Sequence, residues 1–119
     1  MEVGEIIDYI LRNGLSTPRR VYEALEIYFK RGVMRYYLTS DGVEGIVLGG
    51  SGAVHIVRIS VDGYRCSCGD SRSNHYLCKH AIALLYQVLT DKRIRDRALE
   101  IIARMLGTHV VLEKTSIAV

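Results

Sequence analysis

Apolar residues recur at helical spacing in the first part of the chain. Residues 3–12 predict a short amphipathic helix that ends at Asn13-Gly14. Its apolar face is formed by Val3, Ile6, Ile7, Ile10 and Leu11. A second helix is predicted to begin at Thr17-Pro18, a capping hydroxyl followed by proline at the first helical position. Its buried stripe is predicted to be Val21, Leu25, Tyr28 and Phe29, and Lys30-Arg31-Gly32 should end this N-terminal helical region, residues 3–31.

From Val33 onward the residue types favour strands separated by turns that contain glycine. The predicted strands are residues 33–39, 43–49, 53–60 and 64–68, with turns at 40–42, 49–52 and 61–63. Short strands joined in this way predict an antiparallel meander. Tyr36 and Tyr37 could stack on nucleic-acid bases, but packing across strands is the preferred interpretation, and His55 is expected to be structural.

Helical spacing returns after His80. Residues 81–89 form one apolar helix, and Thr90-Asp91 can cap another over residues 91–106, with Ile94, Ala98, Ile101, Ile102 and Met105 on its inner side. The tail, residues 108–119, is predicted to begin as a strand. The fold class is therefore α+β: a small antiparallel β-meander flanked by N-terminal helices and by a C-terminal helix and tail, residues 91–119.

At 119 residues and 49% hydrophobic content, the chain is expected to form one domain over residues 1–119. No uninterrupted apolar run approaches the roughly 20 residues that span a bilayer, and the start of the chain is acidic. A cytoplasmic or nucleoid-associated protein is therefore expected. A domain of this size cannot easily bury both terminal helical regions and the tail, so some apolar surface should remain exposed for association.

All three cysteines of the chain lie in one short stretch. The pattern is Cys66-x-Cys68, nine intervening residues, then Cys78-x-His80. The first pair lies at the end of a predicted strand and the second at the start of a predicted helix, so the four residues meet at a strand-to-helix junction. Three sulfurs and one imidazole nitrogen are the tetrahedral ligand set of a structural Zn²⁺ site. His75, in the polar loop between the pairs, is the alternative to His80 as the fourth ligand.

This arrangement resembles the SWIM zinc-finger family, whose pattern is Cys-x-Cys, a variable loop and Cys-x-His on a unit of two strands and a helix. The upstream helix, the Gly32-Val33 step and the Gly49-Gly50-Ser51 turn extend the resemblance over roughly residues 20–90, with the zinc unit itself at about 53–90. The family serves mainly as a binding module. A closed set of four ligands leaves no position for a catalytic water, so neither enzymatic activity nor a small-molecule substrate is expected.

Positive charge concentrates around the zinc motif. Residues 64–97 carry seven Lys/Arg against three Asp/Glu, whereas the rest of the chain is close to neutral. This clustering is typical of a phosphate-binding face, although a solvated surface explains it equally well. The candidate nucleic-acid contacts are Arg65, Arg72, Lys79, Lys92, Arg93 and Arg97.

Two function classes remain open: a DNA- or RNA-contacting protein, and a subunit that docks on a protein partner or forms a homodimer. In size and motif the chain resembles the small SWIM subunit of Shu-type recombination-mediator complexes. That resemblance implies a paralogue of the RecA-family recombinase as partner and recombinational DNA repair as context. The alternative is a stand-alone finger that binds nucleic acid, or one with a role in transcription or transposition.

Overall fold

A computed structural model describes residues 2–70 and 76–105 of the chain. Its helices are α1 (Val3–Arg12), α2 (Pro18–Phe29), α3 (Lys79–Thr90) and α4 (residues 95–105). Its strands are β1 (Val33–Leu38), β2 (Gly42–Leu48), β3 (Val54–Ser60) and β4 (Gly63–Cys66). The α+β class predicted from the sequence is confirmed.

The four strands form one antiparallel sheet in the order β1-β2-β3-β4. This is the predicted meander, because each strand pairs with its neighbour in the chain. β4 ends at Cys66, so Cys68 lies beyond the strand rather than within it as predicted. The predicted tail strand, within residues 108–119, lies outside the described residues.

Side chains at the helix starts satisfy the free amides there. Glu2 and Glu5 form a capping box at α1, and the Thr17 hydroxyl accepts a hydrogen bond from the Arg20 amide in front of α2. The prediction that Phe29 belongs to the buried stripe of α2 is wrong, because its side chain is 71% exposed. Each residue turns a helix by about 100°, so Phe29 points away when the Tyr28 ring faces Tyr86 of α3.

Helix α3 is the centre of the packing. Every residue from Ala81 to Tyr86 is buried, between α2 on one side and one face of the sheet on the other. The Tyr86 hydroxyl donates to the Val21 carbonyl oxygen at 2.9 Å, which fixes α2 across α3. We call the sheet face that packs on α3 the inner face; its buried residues are Val33, Val43, Gly45, Val47, Val57, Ile59 and Cys66.

The junction between α3 and α4 is built around Asp91. Its carboxylate accepts hydrogen bonds from the Tyr36 hydroxyl at 2.6 Å and from the Arg93 amide and guanidinium. Residues 92–94 form a turn, so α4 begins at residue 95 and not at 91 as predicted. Its predicted inner side is confirmed: four of those residues are buried and the other, Ile94, is partly buried against the core.

Among the described residues, no helix combines the length and the apolar character needed to cross a membrane.

Candidate metal centre

The four predicted ligands meet where β4 ends and α3 begins. Cys66 is the last residue of β4 and faces inward, paired in register with the buried Val57. Cys68 follows two residues later, Cys78 is the N-cap of α3, and His80 lies in the first turn of that helix. The end of β4 with the residues just after it, and the start of α3, therefore each bring two of these residues to one point, as the spacing predicted.

The distances suit a tetrahedral zinc ion. One ligand atom from each of Cys66, Cys68, Cys78 and His80 lies within 4.8 Å of all the others, and the Cys66 Sγ is 3.8 Å from the His80 Nδ1. Zinc–sulfur bonds of about 2.3 Å and zinc–nitrogen bonds of about 2.0 Å place tetrahedral ligand atoms roughly 3.5–3.8 Å apart. All four residues are buried. The donor set and its geometry therefore fit Zn²⁺, with Nδ1 as the imidazole ligand.

The Cys78 thiol holds a proton that a metal ion must displace. The Cys78 thiol shares a hydrogen bond with Cys66 and is buried, which raises its pKa to about 12. The same hydrogen bond lowers the pKa of Cys66. Zinc binds the thiolates, so binding releases protons and must weaken as the pH falls. The free amides at the start of α3 favour the thiolate form of Cys78 once the ion is bound.

A second histidine supports the site. His55, on the inner face of β3, lies with its ring centroid 4.1 Å from that of His80 and tilted by 31°. Its Nδ1 is 3.1 Å from the Ser67 hydroxyl, which belongs to the residue between the first two cysteines. Burial holds the pKa of His55 below its ordinary value, so the ring stacks on His80 as a neutral group at pH 7. His55 thus orients a ligand without belonging to the ligand set.

Gly49 makes room for this pair of rings. A Cβ atom at Gly49 would lie 3.2 Å from the Nε2 atoms of both His55 and His80. At Gly50, the next residue, an added Cβ would meet nothing within 4 Å. The sequence predicted only a turn here, because nothing in the glycine run indicates which member approaches the metal site. The short distance depends on tertiary packing between the β2–β3 turn and α3.

The loop that joins the two ligand pairs is fixed at both ends. Arg20 of α2 donates two hydrogen bonds of 2.8 Å to the Asp70 carboxylate, just after Cys68. At the other end, the Tyr64 hydroxyl donates to the Tyr76 carbonyl oxygen, and the Ser16 hydroxyl donates to that of Leu77 at 2.7 Å. Arg20 of α2, Ser16 just before that helix and Tyr64 of β4 therefore anchor the described ends of this loop, although they contribute no ligand.

The described candidate nucleic-acid residues do not form one cluster, because Lys79 lies at the start of α3 and Lys92 and Arg93 lie beyond its end. Arg65 is exposed on β4, and Lys79 lies beside the metal site in an ion pair with Glu23 at 3.2 Å. Lys92, Arg93 and Arg97 follow the far end of α3, a 12-residue helix and hence roughly 18 Å long. Arg93 pairs with Asp91 and Arg97 with Glu100. Arg72, like the alternative ligand His75, lies outside the described residues.

Residues 55–89 match the family model of the SWIM zinc finger. The match begins at His55, runs through all four ligands and ends near the end of α3. The comparison with curated proteins finds no match to the chain, and the comparison with solved structures finds none either.

Proposed function

Because residues 55–89 form a SWIM-type zinc finger, we propose that the chain is a non-enzymatic binding module in which Zn²⁺ holds the end of the sheet against α3. The observation that carries this proposal is the closed, buried set of three thiols and one imidazole. Four protein ligands complete a tetrahedral shell, so the ion has no free position at which to activate water or a substrate. The ion stabilises the folded domain, and the surface of that domain binds the partner.

We propose further that this partner is a protein, and specifically a RecA-family recombinase paralogue in recombinational DNA repair, in the cytoplasm or at the nucleoid. Support comes from the zinc motif, which resembles that of the Shu-type SWIM subunit. The separation of the basic residues also favours a protein partner. Arg93 and Arg97 already pair with carboxylates, and Arg93 lies beyond the opposite end of α3 from Lys79.

The test is affinity purification of the full, zinc-loaded chain from its native cells, with nuclease treatment, followed by mass spectrometry. The proposal expects a RecA-family paralogue in near-equal amount to the chain after nuclease treatment. Recovery of nucleic acid without a recombinase would overturn the partner and favour the alternative, a stand-alone nucleic-acid-binding, transcription or transposition finger.

The alternative makes its own prediction. Arginine and lysine contacts to phosphate would give binding with little sequence preference and a steep loss of affinity with salt. Reversing the charge of Arg65, which lies closest along the chain to the first cysteine pair, should then weaken binding more than reversing that of Arg93. If the isolated chain shows no binding even at low salt, it does not contact nucleic acid by itself.

A further inference from the structure

The face of the sheet opposite α3, which we call the outer face, presents apolar side chains to solvent. Ile56 is 62% exposed at its centre. The other large exposed apolar residues of this face or its edge are Met34, Tyr37, Leu48 and Val54. Ile46, the register partner of Ile56, is half-buried beside them. Contiguous exposed apolar patches on a soluble domain typically mark an interaction site.

The order of residues across the outer face is given by the strand register. One row is Leu48 beside Val54, the next is Ile46 beside Ile56, and the third is Glu44 beside Arg58. Each pair joins β2 to β3, and the second row continues outward to the exposed Arg35 on β1. The third row continues outward to Tyr37 on β1 and to Arg65 on β4. Apolar rows therefore lie next to a row in which an acidic residue on β2 faces a basic residue on β3.

From this pattern we infer that the outer face binds a second copy of the chain, sheet against sheet, about a two-fold axis that runs between β2 and β3. Two sheets pack face to face at about 10 Å with their strands nearly aligned. Within one chain, each outer-face residue of β2 lies beside a register partner on β3. Rotation about this axis places the β2 residue of one copy opposite the equivalent β3 residue of the other copy. A two-fold interface repeats every such contact twice.

The contacts that this axis produces between β2 and β3 are complementary in all three rows. Ile46 would face Ile56 of the second copy, and Leu48 would face its Val54. Glu44 would face Arg58 of the second copy, twice. In the same row Tyr37 would lie against Arg65 of the second copy, in the geometry of a cation–π contact. Like charges placed opposite each other would disfavour self-association. None of these three rows places like charges opposite each other across the interface.

The observed ion pair of Arg58 leaves room for this contact. Its guanidinium binds Asp41 at 3.0 Å through one terminal nitrogen, and its side chain remains half-exposed. A guanidinium has five donors in a planar fork, so it can bind a second carboxylate from the opposite copy. This inference depends neither on the recombinase partner nor on nucleic acid.

The first test adds a charge to the apolar centre of the face. Sedimentation equilibrium of the full, zinc-loaded chain over a wide concentration range should show a reversible dimer, and Ile56→Lys should abolish it. Phe29→Lys is the matched control, since Phe29 is at least as exposed but lies on α2. A wild-type chain that stays monomeric, or a dimer lost equally in both variants, would overturn the inference.

The second test uses the two-fold symmetry. Glu44→Arg alone sets arginine against arginine across the axis, and Arg58→Glu alone sets glutamate against glutamate, so each variant should dimerise about tenfold more weakly. Mixing the two variants pairs opposite charges at both positions and should restore association as a heterodimer. A purely intrachain effect of either substitution cannot be rescued by mixing. Failure of the mixture to associate would rule out the proposed axis, and unchanged zinc content would show that both variants are folded.

Discussion

The inner and outer faces of the sheet are built from alternate residues of the same strands, yet they have opposite environments. On β3, Val57 is fully buried against α3, whereas its neighbour Ile56 is 62% exposed. The inner face leads to the metal ligands through Cys66, and the outer face reaches none of them. A similar hydrophobic content therefore stabilises the fold on one face and remains available for association on the other. The face that packs against α3 and carries Cys66 is the buried one.

Removal of the metal should have the largest effect, because it should unfold the domain and so abolish the difference between the two faces. Structural zinc contributes about 10–16 kcal/mol in small zinc domains, which equals or exceeds the usual total stability of a folded domain. Chelation, or Cys78→Ser, should abolish the cooperative thermal transition, as monitored by circular dichroism. Adding back excess zinc should restore the transition in the chelated wild type but not in the variant. If the melting curve is unchanged after chelation, the ion is not part of the fold's stability.

Shortening adjacent side chains on the two faces should give the next largest difference. Val57→Ala removes buried methylene-sized groups and leaves a cavity against α3, at a cost of about 2–3 kcal/mol in the free energy of unfolding. Ile56→Ala removes exposed atoms and should cost less than about 0.5 kcal/mol. Denaturant unfolding at low protein concentration, where association does not contribute, measures both. Equal losses would mean that the outer face is covered within the chain.

The inner face should also be sensitive where it meets the metal. Gly49→Ala pushes a methyl group against His80 and His55, and changes next to a metal ligand typically weaken zinc binding by about 10–100-fold. Gly50→Ala, in the same turn but in open space, should leave the affinity unchanged. Competition with a chromophoric zinc chelator measures both constants. If the two variants bind zinc equally, the rings do not depend on the space at Gly49.

The smallest effect is expected for a pair of adjacent tyrosines. Tyr36→Phe removes the hydroxyl that donates to Asp91, and loss of a hydrogen bond to a charged group costs about 1.5–3 kcal/mol when buried and less at this half-buried position. Tyr37→Phe alters an exposed ring on the outer face and should be neutral for unfolding. Thermal unfolding of both variants at equal zinc load checks the difference. A larger loss for Tyr37 would contradict the assignment of the two faces.

The elements that local patterns encode were predicted well. Strand-forming residue types and glycine turns predicted the four-stranded meander, and the Thr17-Pro18 pair predicted the start of α2. The ligand set followed from cysteine spacing, because a strand end and a helix start place Cys66 and Cys78 within reach of each other. The prediction that Cys66, Cys68, Cys78 and His80 lie together needed no tertiary information.

Features that depend on contacts between distant segments were not predicted. His55 was expected to be structural, and only the packing of β3 on α3 places its ring against His80. Exposed apolar surface was expected, but its position was not, since Val54 and Ile56 are residue types that also suit a strand buried on both faces. Phe29 was assigned to the core because periodicity alone does not fix where a buried stripe is centred.

The most direct test of the metal site is X-ray absorption spectroscopy of the zinc-loaded chain, together with the metal content of two histidine variants. Three sulfurs at about 2.3 Å and one nitrogen at about 2.0 Å are expected around one zinc ion. His80→Ala should lose metal affinity, and His75→Ala should keep it. A shell with fewer than three sulfurs, or metal lost from His75→Ala and retained by His80→Ala, would contradict a centre formed by Cys66, Cys68, Cys78 and His80.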